Sequence, residues 1–211
     1  MRSINLALAA SLFFATPVLA QEPSPAPPPA DANGAAPPGP VPEAVTPAPA
    51  NPEMTGPKLL IATSMGDITL QLDSVRAPKS VANVLRYARE KHYDNTAFYR
   101  VAHGFVIQMG SFDANGKGRG IHPGPVPLEA TNGLSNLRGT VAMARAEAPD
   151  SATAEFFINL ADNLPLNHEA GDPGNNTGYA VFGQVPTGDN GPMPGQAPVT
   201  PIVVKKVTLL K

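Results

Sequence analysis

The sequence predicts a mainly β protein, either a sandwich or a closed barrel, and three observations support this class. Short apolar runs recur along residues 58–211, Gly, Pro and Asn separate them, and only one segment has helical periodicity. The first two runs, KLLIATSMGDITLQL, flank Ser64-Met65-Gly66-Asp67, which is a hairpin signal. Further strands are predicted around residues 97–102, 105–109, 139–144, 155–160, 180–185 and 202–210.

The single predicted helix spans about residues 78–90. Val81, Val84, Leu85 and Ala88 recur at helical spacing, and Pro78 suits a first helical turn. No second helix is expected between the later strands, because residues 186–201 contain five prolines and three glycines. One end of the barrel should then be covered by this irregular loop, or partly by the segment that precedes residue 58, rather than by a helix.

Residues 1–20 have the layout of a secretory signal peptide. One early charge, Arg2, precedes an apolar stretch from Leu6 to Ala15, and small or branched residues end the segment at Ala20. The alternative is an uncleaved anchor, but a spanning helix needs about 20 apolar residues and this run is shorter. We expect cleavage, a periplasmic location, with secretion as the alternative, and no stable membrane insertion afterwards.

Residues 21–57 are predicted to be a disordered spacer. They hold half of the chain's 26 prolines, four acidic residues, no basic residue and no aromatic side chain. Such a segment buries too little apolar area to offset its ordering entropy, and should be extended. A ligand for a proline-binding partner is the less favoured alternative.

The composition of residues 58–211 excludes several function classes. Their 14 basic and 13 acidic side chains give no electrostatic reason to expect nucleic acid. The four histidines lie at no metal-ligand spacing, so neither a metal nor another cofactor is expected. A hydrolase is disfavoured because no nucleophile has a base that the sequence can nominate. The chain has no cysteine, so packing alone must hold its core.

Three ordered blocks resemble the cyclophilin family. They are FYRVAHGFVIQMG at 98–110, GTVAMARAEAPDSATAEFFINLADN at 139–163 and GYAVFGQV at 178–185, and the likeness is greatest to the exported bacterial branch. The resemblance implies a peptidyl-prolyl cis-trans isomerase on an eight-stranded antiparallel barrel, with its active site on the outer surface. The implied partners are proline-containing polypeptides, and we expect a monomer.

The residue types suit this reaction. Rotation of an Xaa-Pro bond breaks no covalent bond, but amide resonance sets a barrier of about 18–20 kcal/mol. During rotation the prolyl nitrogen regains a lone pair, so a fixed donor binds the twisted state better than either planar state. A guanidinium is always charged and cannot lose its proton, which gives Arg100 a role that an ordinary strand residue does not need.

The resemblance also implies the other site residues. Arg100, Phe105 and Gln108 correspond to catalytic positions, and Gln108 should hold a substrate carbonyl. The expected substrate-binding residues are Val106, Ala144, Arg145, Phe157, Leu166 and Tyr179. Taken singly, each of these would more often be a core or surface residue, and only their combined spacing favours function. A non-catalytic proline-peptide binder or holdase remains the alternative function.

Three positions depart from the family pattern. Pro165 stands where animal members have a tryptophan that contributes to cyclosporin binding, which predicts weak binding of that drug. Glu155 replaces a usual glutamine and could pair with Arg100; if it does, Glu155→Gln should leave activity equal or higher. Met109 replaces a usual glycine after Gln108.

Overall fold

Residues 50–120, 124–170, 177–186 and 201–210 are described by the computed structural model, and within them lie one α-helix and nine β-strands. Every predicted strand region contains at least one of these strands, and all nine form one antiparallel sheet. The strands are β1 (Lys58–Thr63), β2 (Gly66–Leu72), β3 (Thr96–Phe98), β4 (Arg100–Ala102), β5 (Val106–Met109), β6 (Thr140–Met143), β7 (Phe156–Asn159), β8 (Val181–Gln184) and β9 (Ile202–Leu210).

The order of neighbouring strands shows how the sheet closes. It runs β3-β9-β1-β2-β8-β6-β7-β5-β4, so β3 and β4 are the two end strands. Tyr99 alone separates them along the chain, which brings the two ends of the sheet together and gives a nearly closed barrel. If β3 and β4 are counted as one interrupted strand, the barrel has the eight strands that the sequence predicted.

Strands β5, β6, β7 and β8 are buried on both faces, and their two faces belong to different apolar clusters. Ile107, Val141 and Ile158 lie in the main core with the helix. Because successive side chains of a strand point to opposite faces, the apolar residues next to them lie on the other face of the sheet and belong to a second cluster. Its buried members are Met54, Val106, Leu134, Ala142, Phe157 and Val181.

The helix α1 (Pro78–Arg89) follows the predicted pattern, and its buried face includes Val81 and Val84. Ala77, at its N-cap, offers no side-chain acceptor for the free backbone N–H groups of the first turn. Glu129 supplies the acceptor from a distant loop. Its carboxylate accepts from the backbone N–H of Lys79 at 3.0 Å and of Ser80 at 2.8 Å.

The domain begins earlier than residue 58, where the sequence placed its boundary. Asn51 exchanges two hydrogen bonds of 2.8 Å with the backbone of Ser135. Met54 is only 4% exposed, and the backbone N–H of Gly56 donates to the Leu72 carbonyl. The proline-rich composition hid this packing, because a single methionine and one asparagine carry it.

Several predictions fall on residues that the structure does not describe. They are the signal peptide at 1–20, the spacer over residues 21–49, and the helix-free loop, of which residues 187–200 are outside the described ranges. No helix in the described part of the chain has both the length and the apolar character needed to cross a membrane.

Candidate active site

Strand register brings the predicted polar and apolar site residues into one row. Arg100 on β4 pairs with Gln108 on β5, Gln108 pairs with Phe157 on β7, and Phe157 pairs with Ala142 on β6. Residues that pair directly across an antiparallel sheet project from the same face. The row therefore runs from a cation, through an amide, to an apolar surface.

A cavity of about 180 Å³ opens over this row. This volume is below the roughly 300–1,000 Å³ of pockets for drug-sized ligands and suits a single ring. The cavity brings together all nine residues that the sequence nominated. They are Arg100, Phe105, Val106, Gln108, Ala144, Arg145, Phe157, Leu166 and Tyr179.

A tight turn places Phe105 at the rim beside Arg100. The backbone N–H of Phe105 donates to the Ala102 carbonyl, and Gly104 adopts φ +65°, a conformation that disfavours any residue with a Cβ. The Arg100 guanidinium carbon lies 5.8 Å from the centroid of the Phe105 ring, within cation–π range. The turn thus sets an aromatic face against the exposed cation.

Arg145 holds the opposite wall of the cavity. Its guanidinium lies 4.8 Å from the Tyr179 ring centroid and donates to the Gly178 carbonyl and the Thr177 hydroxyl. The Tyr179 ring in turn packs edge-on against Phe157, with 5.6 Å between centroids. The sequence nominated Arg145 as part of a peptide-binding edge. In the structure its side chain also contacts Thr177, Gly178 and Tyr179, and so holds this loop in place.

Three buried asparagines support the cavity from behind. Asn163 donates to the Phe105 carbonyl at 3.0 Å and to the side chain of Asn159 at 2.7 Å. Asn159 donates to Asn136, whose amide donates to the Leu166 carbonyl. A satisfied buried network of this kind is rigid. Sequence reasoning missed it, because single asparagines in loops or at strand ends usually indicate turns.

Glu155 does not pair with Arg100. The one ion pair recorded within the described ranges joins Arg76 to Asp73, and Glu155 instead accepts hydrogen bonds from Gln108 and the Tyr99 hydroxyl. The pairing of Glu155 with Arg100 that the sequence suggested is therefore not present in the structure. Tyr99 was not nominated from the sequence, because a residue next to Arg100 in a regular strand would project from the other face.

Met109 and Pro165 occupy different settings. Met109 is fully buried in the main core, and Gly110 after it has φ +142°. Pro165 lies in a short 3₁₀ turn, Leu164–Leu166, that carries Leu166 to the cavity.

Within the ranges that the structure covers, no three His, Asp or Glu side chains are grouped so that they could bind a metal ion.

Comparison with known proteins identifies the family of this barrel. Residues 58–190 match the family described as cyclophilin type peptidyl-prolyl cis-trans isomerase/CLD. Peptidyl-prolyl cis-trans isomerase A of Dickeya dadantii is 42% identical over 176 residues, which are 77% of this chain and 90% of that protein. Peptidyl-prolyl cis-trans isomerase B of Escherichia coli is 48% identical over 126 residues, 60% of this chain and 76% of that protein.

A solved structure is similar along nearly its whole length. The Cryptosporidium parvum cyclophilin type peptidyl-prolyl cis-trans isomerase, crystallised in the presence of the dipeptide Ala-Pro, has a TM-score of 0.59 and 26% identity. The similarity covers 73% of this chain and 99% of that one. The match over residues 58–190 and the similarity to these relatives agree with the nearly closed barrel. The chain therefore belongs to the family of cyclophilin-type peptidyl-prolyl cis-trans isomerases.

Proposed function

We propose that this isomerase accelerates rotation of Xaa-Pro bonds in exported polypeptides, with Arg100 donating to the prolyl nitrogen in the twisted state. The observation that carries the proposal is that Arg100 lines the same small cavity as Phe105, Val106 and Phe157. The Arg100 side chain is solvent-exposed, so it can reach a peptide bound at the surface.

The apolar residues would hold the proline ring while the chain on the other side of the bond turns. Val106 and Phe157 are almost fully buried and form the floor, and the partly buried Leu166 and Tyr179 pack against the same cluster. A ring fixed in this way keeps the prolyl nitrogen at one place as it loses conjugation. The donor then needs no reorganisation when the nitrogen becomes an acceptor.

The magnitudes are consistent with this simple chemistry. Raising a rate from about 0.01 per second to about 10 per second takes roughly 4 kcal/mol off the barrier. A hydrogen bond from a charged donor contributes about 1.5–3 kcal/mol. Arg100 would therefore supply about half of the effect, and ring fixation in the cavity the remainder.

A protease-coupled assay on an Ala-Pro peptide tests this function. Ala-Pro is a suitable first sequence, because the Cryptosporidium relative was crystallised with that dipeptide. We expect wild-type protein to accelerate isomerisation and Arg100→Ala to lose most of the acceleration. Arg89→Ala is the matched control, since Arg89 is exposed at the end of α1 and does not line the cavity.

The alternative function is a non-catalytic proline-peptide binder or holdase on the same scaffold. Equal, uncatalysed exchange with wild type and Arg100→Ala, together with measurable peptide binding, would establish that alternative. Activity of Arg100→Ala equal to that of wild type, both well above the uncatalysed rate, would instead leave the isomerase but remove the arginine mechanism.

We propose export through a signal peptide that is cleaved after Ala20, which would place the domain in the periplasm, with secretion as the alternative. Mass spectrometry of the protein purified from its native cell fractions tests this proposal. The expected mature chain begins at Gln21 and is found with periplasmic markers. An intact amino terminus in the membrane fraction would contradict it.

A further inference from the structure

The cavity that Arg100, Phe105 and Phe157 line is called the proline cavity below. The amide of Gln108 is held by two side chains that do not line it. Its Nε2 donates to the Tyr99 hydroxyl at 2.6 Å and to Oε2 of Glu155 at 2.5 Å. The Tyr99 hydroxyl donates to the same carboxylate oxygen. The Tyr99 hydroxyl and the Glu155 carboxylate therefore lie next to each other on one side of Nε2. The amide oxygen, Oε1, accepts from Nη1 of Arg100 at 3.1 Å.

The carboxylate allows only one orientation of this amide. An ionised carboxylate accepts hydrogen bonds and cannot donate, whereas a guanidinium donates and cannot accept. If the amide were reversed, Oε1 would face the Glu155 carboxylate, so two acceptors would meet. Nε2 would face the Arg100 guanidinium, so two donors would meet, and neither contact could be a hydrogen bond. Glu155 therefore determines that the oxygen of Gln108 faces Arg100, although the two charged groups form no ion pair.

Tyr99 and Glu155 are themselves fixed. Tyr99 is the single residue between β3 and β4, and its ring packs at 4.8 Å against Phe112. Burial and the hydrogen bond to Glu155 raise the pKa of the Tyr99 hydroxyl, so it keeps its proton at neutral pH. Glu155 directly precedes β7, and its carbonyl accepts from the backbone N–H of Ala144.

We propose that Tyr99 and Glu155 are positioning residues, which fix the Gln108 amide and thereby hold the Arg100 guanidinium beside the proline cavity. The inference rests on the proposed role of Arg100. It also adds a role for Gln108, because its nitrogen is held by Tyr99 and Glu155 while its oxygen accepts from Arg100. Gln108 then acts on the reaction through Arg100.

Kinetics of three variants test the positioning role. Tyr99→Phe keeps the ring and removes the hydroxyl, Glu155→Ala removes the acceptor, and Glu155→Gln keeps one oxygen that can accept both bonds now made to Oε2. We expect Tyr99→Phe and Glu155→Ala each to lower kcat about fivefold, with a smaller change in KM, since a lost hydrogen bond is worth about 1 kcal/mol.

Rescue by the conservative variant distinguishes positioning from a general structural role. Glu155→Gln should retain more turnover than Glu155→Ala, and Glu90→Ala, which removes an exposed carboxylate at the end of α1, is the control. Unchanged kcat in Tyr99→Phe and Glu155→Ala, in a protein whose activity does depend on Arg100, would overturn the proposal. Equal losses in Glu155→Gln and Glu155→Ala would overturn the orienting role of the shared oxygen.

Side-chain amide NMR provides a readout that does not depend on activity. At least one Nε2 proton of Gln108 should exchange with water more slowly than in an exposed glutamine, and Tyr99→Phe should shift the Nε2 signals and accelerate this exchange. Signals like those of an exposed glutamine, unaffected by the variant, would overturn the proposal. If wild-type protein proves inactive, the proposed function fails, and the NMR result still decides whether the amide is held as described.

Discussion

Met54 gives the sharpest prediction about the fold, because the sequence assigned it to a spacer and the structure buries it. It is 4% exposed and belongs to the same apolar cluster as Val106 and Phe157, which line the cavity beside Arg100. Replacing a buried methionine by alanine costs about 2–5 kcal/mol. Met54 belongs to the smaller of the two apolar clusters, so we expect the lower part of this range, about 2–3 kcal/mol, for Met54→Ala.

Thermal unfolding followed by circular dichroism measures this cost. For a domain of this size, 1 kcal/mol corresponds to a shift of about 2–4 °C, so Met54→Ala should lower the Tm by about 4–12 °C. The matched control is Met65→Ala at the β1–β2 turn, where the side chain is 46% exposed and the expected loss is below about 0.5 kcal/mol. Equal Tm values for the two variants would refute the assignment of Met54 to the folded domain.

Three further predictions concern individual residues. Gly110→Ala should destabilise the domain by about 1–3 kcal/mol in a denaturant titration. Gly110 has φ +142°, and a Cβ added there would lie 2.6 Å from the Ala154 carbonyl oxygen. The control is Gly124→Ala, because a Cβ added at Gly124 would meet open space. Burial alone would raise the pKa of Asp73, but the hydrogen bonds and charge of Arg76 outweigh burial and lower this pKa. The stability that ionised Asp73 contributes is therefore complete above about pH 4 and is lost as the pH falls through the lowered pKa. Arg76→Ala should therefore move the midpoint of acid unfolding to higher pH, and an unchanged midpoint would contradict this. Calorimetry with cyclosporin should show weak binding, because Pro165 has no indole donor, whereas nanomolar affinity would contradict that prediction.

The sequence predicted the elements because they depend on short-range patterns, whereas the cavity lining was predicted from the family resemblance. Short apolar runs between Gly, Pro and Asn residues located the strands, and in the structure the turn at Gly104 sets the register that pairs Arg100 with Gln108. The resemblance nominated the lining residues, which the fold brings together. Their roles in catalysis stay predictions until they are measured.

What the sequence did not indicate depends on contacts between distant segments. Glu129 caps a helix that begins 51 residues earlier (129 − 78), and Glu155 lies 56 residues from its partner Tyr99. Met54 is a single apolar residue in a proline-rich stretch, so periodicity cannot reveal its burial. Each of these residues became interpretable only when the sheet had fixed which loops meet.

The most direct test of the central claim is two-dimensional NMR exchange on an Ala-Pro peptide with wild-type protein and Arg100→Ala. One titration gives both the affinity for the peptide and the exchange rate of the bound peptide. We predict that Arg100→Ala slows bound-state exchange by about 10- to 150-fold, the equivalent of 1.5–3 kcal/mol, while the affinity changes much less. Unchanged exchange, or a loss confined to affinity, would contradict the claim that Arg100 acts on the twisted state.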